Sequence, residues 1–175
     1  MKKARLIITF DCPRKCPYCC NSYLSLMGKI KTILDISEIY DYDEIIITGG
    51  EVGLYEKRTK ELIAKIKANS TAKIYVYTAF WQPWMVDILY DIDGLHYTLH
   101  ENSKGEDFLR FYHYQRAIEQ VPGKSYRLYI FPRVNEFITI NPSLYARVEV
   151  KPWIPESKLI LPEDEELIYL KEKKS

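Results

Sequence analysis

Arg5-Leu6-Ile7-Ile8-Thr9-Phe10, running directly into Asp11-Cys12-Pro13-Arg14-Lys15-Cys16-Pro17-Tyr18-Cys19-Cys20-Asn21, sets an apolar strand against a cysteine loop near the start of the chain. All four cysteines of the 175 residues lie between positions 12 and 20. Cysteines that staple a small fold are spread so as to close long loops, and a cluster this tight closes none. Thiols gathered in one turn point instead to a metal or redox site. Cys12, Cys16 and Cys19 have the spacing C-x3-C-x2-C, which can present three thiolates to three corners of a cubic iron-sulfur cluster. The fourth corner has no cysteine, because none lies elsewhere in the chain. Adjacent cysteines rarely face one ion without backbone strain, which disfavours a closed four-cysteine zinc site. Cys20 therefore reads as a small buried hydrophobe.

Working outward, Ile45-Ile46-Ile47-Thr48-Gly49-Gly50-Glu51 is a second apolar run, ended by a Gly-Gly-Glu turn. Glycine lets a backbone approach a ligand closely, so Gly49 and Gly50 read as a binding rim. Without the cysteines the same tripeptide would read as an ordinary turn, with Glu51 a solvated carboxylate. Apolar runs and breakers then alternate in the manner of βα units on a parallel sheet. Strands are expected near residues 5–10, 44–48, 73–78, 95–100, 126–131 and 146–150. Helices are expected near 29–40, 58–68, 83–90 and 107–120, and a fifth is poorly indicated between Pro132 and Pro142. The fifteen tyrosines fall largely within these elements and read as packing residues.

Both motifs together resemble those of the radical SAM (S-adenosylmethionine) enzymes. The signature C-x3-C-x-aromatic-C is matched by Cys12, Cys16, Tyr18 and Cys19, and Gly49-Gly50-Glu51 matches the turn after the second strand. The match departs from many relatives in having Val52 where they continue with proline. The resemblance implies a [4Fe-4S] cluster on Cys12, Cys16 and Cys19. Its open iron would be chelated by S-adenosylmethionine, with Gly49-Gly50-Glu51 at the methionyl amine and Tyr18 at the adenine. It further implies an external electron donor such as flavodoxin or ferredoxin. Reductive cleavage would give a 5′-deoxyadenosyl radical that abstracts hydrogen from a substrate. With no second cysteine cluster, the chain looks most like compact members such as the glycyl-radical-enzyme activases, which act on a protein or peptide. The 7-carboxy-7-deazaguanine synthases, which act on a small molecule, are the alternative. A non-catalytic iron-sulfur or zinc-binding accessory protein is the reading from another class.

Length bounds the fold. At roughly 100 to 200 residues per domain, 175 residues make one domain. An eight-unit barrel of about 250 residues does not fit. With six strands counted, the expectation is an α/β fold, a partial (β/α)6 TIM-type barrel of six parallel strands with reduced helices. It would have a core over about 4–155 and a C-terminal extension over 156–175, mobile at its end. Active sites of such barrels form at the carboxyl ends of the strands, which nominates Thr78, Thr98, His100, Glu101, Arg133, Lys151 and Trp153. Thr78, Thr98 and His100 are placed near the cofactor. His100 and Glu101 are the positional candidates for contact with ribose or substrate, although a loop hydrogen bond explains the pair equally well.

Composition narrows the partners. The formal charge is 25 − 24 = +1, which gives no electrostatic case for nucleic acid or an anionic membrane. Charges interrupt every apolar run before the 18 residues of a spanning helix, and the start lacks a cleavage site. A cytoplasmic protein is expected.

Overall fold

The computed structural model describes residues 1–172, so Lys173 and Lys174 of the basic end lie outside the described residues. The strands are β1 (Lys3–Ile7), β2 (Lys31–Ile33), β3 (Glu44–Thr48), β4 (Lys73–Thr78), β5 (Gly94–Leu99), β6 (Ser125–Ile130), β7 (Arg147–Val150) and β8 (Glu165–Leu170). Between them lie α1 (Leu24–Met27), α2 (Glu56–Asn69), α3 (Met85–Leu89), α4 (Gly105–Glu119) and α5 (Pro132–Asn135). All eight strands join one parallel sheet in the order β2-β8-β1-β3-β4-β5-β6-β7. The sheet does not close on itself, and β2 and β7 form its edges.

Six of these strands are the expected ones; the other two correct the count from six to eight. Residues 29–40 do not form a helix. Gly28 ends α1, Lys31–Ile33 pairs with β8, and Asp35 caps a short 3-10 turn at Ile36–Ile39 by accepting from the Ser37 N–H. A three-residue strand carries too little pattern to be read locally, and its partner is far along the chain. The segment expected as an extension supplies β8, which lies between β1 and β2 with its apolar residues Leu167, Ile168 and Leu170 buried. The helix near 83–90 shortens to α3, and the fifth is the single turn α5 with Pro132 in its first position.

The sheet has two unlike faces. Ala4, Leu6, Ile45, Ile47, Ile74, Val76, Leu95, Tyr97 and Leu99 alternate along their strands and are almost fully buried. The helices cover this face. α2 presents Thr59, Leu62, Ile63 and Ile66 at helical spacing, and α4 presents Phe111, Tyr114 and Ile118. Tyr97 and Tyr114 stack with ring centroids 4.7 Å apart, as packing residues should. The intervening residues Arg5, Tyr77, His96, Thr98 and Glu149 point to the other, concave face and are only partly buried. Among the described residues no helix is long and apolar enough to cross a membrane.

Because Ile168 is fully buried between two neighbouring strands, Ile168→Ala should cost about 2–5 kcal/mol. Urea denaturation measures it; an unchanged midpoint would mean that residues 165–170 are the dispensable tail expected from the sequence.

Candidate functional site

The loop leaving β1 and the turn leaving β3 are fastened to each other by backbone. The Gly50 N–H donates to Thr9 O at 2.7 Å, and the Glu51 N–H donates to Asp11 O at 2.8 Å. This contact explains the glycines. A Cβ on Gly49 would stand 2.3 Å from Thr9 O, one on Gly50 would stand 2.1 Å from Asp11 O, and Gly49 has φ +146°. The backbone that comes this close is the chain's own. Asn21 ties the far end of the cysteine loop to the same turn, its Nδ2 donating to Gly49 O at 3.3 Å.

Glu51 is not the solvated carboxylate of an ordinary turn. It is 3 % exposed and accepts from the Gly53 N–H at 2.8 Å, the Ala79 N–H at 3.0 Å and the Thr78 hydroxyl. Burial raises its pKa against the pull of these donors and of Arg14 nearby. The side chain thus bolts the turn after β3 to the end of β4, and Thr78 completes the bolt by accepting from the Phe80 N–H at 3.0 Å.

Arg14, inside the cysteine loop, was not singled out by its sequence. Its side chain is 9 % exposed, forms an ion pair with Asp107 in the first turn of α4, and donates to Ala79 O at 3.3 Å. Asp107 in turn accepts from the Lys104 N–H at 2.9 Å at the start of that helix. The only sequence signal for this anchor is a basic residue between Cys12 and Cys16.

These contacts assemble a cavity of about 420 Å³ at the carboxyl ends of the central strands. Cys12, Cys16, Cys19, Tyr18, Gly49, Gly50, Glu51, Thr78, Thr98 and His100 all line it, as do Lys151 and Trp153. Glu101 and Arg133 do not; both are exposed, and Glu101 reaches the site only through its N–H, which donates to the Tyr18 hydroxyl at 3.3 Å. Tyr18 sits among aromatic rings, 4.9 Å from Phe131, 5.5 Å from Trp153 and 6.1 Å from His100. Cys20 also lines the cavity and is only partly buried, so it is not a core residue.

All four thiols are free. Desolvation raises the Cys12 thiol, and pushes Cys16 and Cys20 up to about 11; the Arg14 charge pulls Cys12 and Cys16 the other way without prevailing. Among the described residues no three His, Cys, Asp or Glu side chains are gathered closely enough to hold a metal ion. The thiols share a cavity wall without converging.

Part of the wall comes from the stretch after β7, in which only Lys151 and Trp153 are nominated by the sequence. After β7 the chain crosses the cavity, contributing Trp153, Ile154, Leu159 and Leu161. The Tyr129 hydroxyl lies 2.8 Å from Lys151 O and 2.7 Å from Pro152 O, and Ser25 of α1 donates from both N–H and hydroxyl to Glu156. Beyond Lys151 and Trp153, which follow a strand directly, apolar residues without period give no sign that this segment folds over the site.

Compared with known proteins, the chain matches no family model, no curated protein and no solved structure.

Two outcomes follow from this geometry. Gly50→Ala should lower stability by about 1–3 kcal/mol in chemical denaturation, since backbone must move to admit the methyl. Gly105→Ala, where a Cβ meets nothing within 4 Å, should be neutral or slightly stabilising. Separately, burial holds His96 and His100 at about 4, below their ordinary 6.5. The unfolded chain then binds protons more readily between those values, so the stability these rings contribute is complete above about 6.5 and is lost as pH falls towards about 4. Unfolding midpoints taken across that window should fall on acidification, and the doubly substituted His96→Gln, His100→Gln protein should fall less steeply. Parallel pH profiles for the two proteins would contradict the assignment.

Proposed function

We propose that the chain is a radical SAM-type enzyme, and the observation that carries the reading is the convergence of two separate motifs on one cavity. The cysteine loop and the Gly-Gly-Glu turn come from different strands and share a wall at the carboxyl ends of a parallel sheet. The consecutive order β1-β3-β4-β5-β6-β7 supports reading those strands as the arc of a partial (β/α)6 TIM-type barrel, with β8 and β2 added beside β1.

In residue type and spacing the donor set suits the implied cluster, and the thiols, which stand apart along the cavity wall, would have to draw together around it. Three accessible or half-buried thiols stand on one short loop, and Arg14 holds a compensating charge beside them. Cys12, Cys16 and Cys19 would hold a [4Fe-4S] cluster, leaving Cys20 spare. S-adenosylmethionine would lie along Tyr18, Gly49, Gly50, Thr78, Thr98 and His100. When bound, the pair supplies one-electron cleavage that yields a hydrogen-abstracting 5′-deoxyadenosyl radical.

The chain's own residues prepare that chemistry. Burial raises the Cys12 and Cys16 thiols, so loading the cluster releases protons from them and favours higher pH. Glu51 contributes through the turn it fixes, since its carboxylate is already engaged by Gly53, Thr78 and Ala79. Arg14 holds the loop against α4. The segment after β7 and the aromatic ring cluster around Tyr18 keep water from the interior. Cys12, exposed at the mouth, suits electron delivery from an external flavodoxin or ferredoxin. Of the two substrate classes, the walled cavity favours a small molecule over a protein or peptide loop, because β8 and the 151–162 segment cover the flank that a six-stranded arc would leave open.

Anaerobic reconstitution should load about four irons per chain, as three-cysteine clusters do. Dithionite and S-adenosylmethionine should then release 5′-deoxyadenosine. Cys12→Ala should abolish both results, whereas Cys20→Ala should retain them. A colourless protein holding one zinc would reject the proposal in favour of an accessory module, and a good cluster that never cleaves the cofactor would favour an electron-transfer role.

A further inference from the structure

The floor of the cavity carries polar groups with unused bonding capacity. Arg5 on β1 donates from Nε to Glu165 at 2.8 Å, and its side chain is 31 % exposed. Its two terminal nitrogens bond no side chain or carbonyl among the described residues and are not sealed from the cavity. The guanidinium lies 5.4 Å from the Tyr77 ring centroid, and the His96 ring lies 4.6 Å from the same ring, centroid to centroid. Neither ring nitrogen of His96 has a partner among the described residues, and its Nδ1 is buried. These side chains come from β1, β4 and β5, so the sheet itself fixes their spacing.

We propose that Arg5, Tyr77 and His96 form the recognition floor for a small carboxylate-bearing substrate. The planar terminal edge of a guanidinium matches a carboxylate with two parallel N–H bonds, and Glu165 occupies only the Nε side. A neutral imidazole offers one donor and one acceptor, and the Tyr77 hydroxyl offers both. Among the cavity-lining side chains Arg5, Arg14 and Lys151 balance Glu51, Glu149 and Glu165, so an anion is drawn by the free edge of Arg5 and not by a net field. The Tyr77 and His96 rings give the body of the molecule an aromatic surface. Substrate class is thereby assigned to side chains carried by the sheet itself, resting on the reading of that cavity as an active site.

The test needs no cluster. Benzoate and benzamide share a shape and differ in charge, and both can be titrated into the metal-free protein while the imidazole signal of His96 is followed by NMR. Benzoate should bind saturably and shift that signal, with benzamide weaker by about tenfold or more. Arg5→Gln should remove the preference, Arg5→Lys should keep part of it, and Tyr77→Phe should weaken benzoate while leaving the melting temperature near that of the unaltered chain. Equal binding of the two probes, no saturable binding, tighter binding of inorganic phosphate than of benzoate, or an unaltered preference in a folded Arg5→Gln protein would each overturn the assignment. The outcomes separate the two proposals. Loss of benzoate selectivity in a chain that still releases 5′-deoxyadenosine would remove only the substrate class, and selective binding in a chain that holds no cluster would remove only the radical chemistry.

Discussion

Two backbone hydrogen bonds, Gly50 N–H to Thr9 O and Glu51 N–H to Asp11 O, join the loop after β1 to the turn after β3. They can form only because positions 49 and 50 have no side chain to keep the strands' ends apart. Everything at the rim of the cavity follows from this contact. It aims the cysteine loop across the carboxyl end of β1, and it places the Glu51 carboxylate where Gly53, Ala79 and Thr78 can donate to it. Arg14 and Asn21 then fasten the two ends of the loop, one to Asp107 and Ala79, the other to Gly49.

The same sheet serves two solvents. Strand alternation sends isoleucine, leucine and valine to the helix-covered face, where burial supplies the driving force for folding. It sends Arg5, Tyr77, His96 and Glu149 to the concave face, where their polar atoms remain available to a ligand. A parallel sheet covered by helices on both faces would read as near-continuous apolar runs. Here Arg5, Tyr77, His96 and Thr98 at alternate positions mark the face that lines the cavity, with Ile7 and Ile46 as buried apolar exceptions on it.

Much of this was legible locally. Six strands, the longer helices α2 and α4, the cysteine loop and the Gly-Gly-Glu turn are patterned within short windows. What escaped was set by partners distant in sequence. β2 is a helix-like apolar segment until β8 pairs with it, and β8 is a plausible tail until it fills the gap beside β1. Arg14 gains its meaning from Asp107, and the stretch after β7 from Tyr129 and Ser25. Glu51 could be taken for a surface carboxylate because no local signal reports that Thr78 and Ala79 will meet it.

By itself the sequence determined the βα alternation, the clustering of every thiol in one loop, and the absence of side chains where the two motifs meet, because each depends on residue types at fixed short spacings. Tertiary structure alone decided that the sheet has eight strands, that the cavity is floored by Arg5, Tyr77 and His96, and that Glu51 is buried and fully engaged. The reason is physical: strand pairing, burial and charge balance are properties of neighbours in space, and those neighbours are supplied by segments whose separation along the chain carries no local pattern.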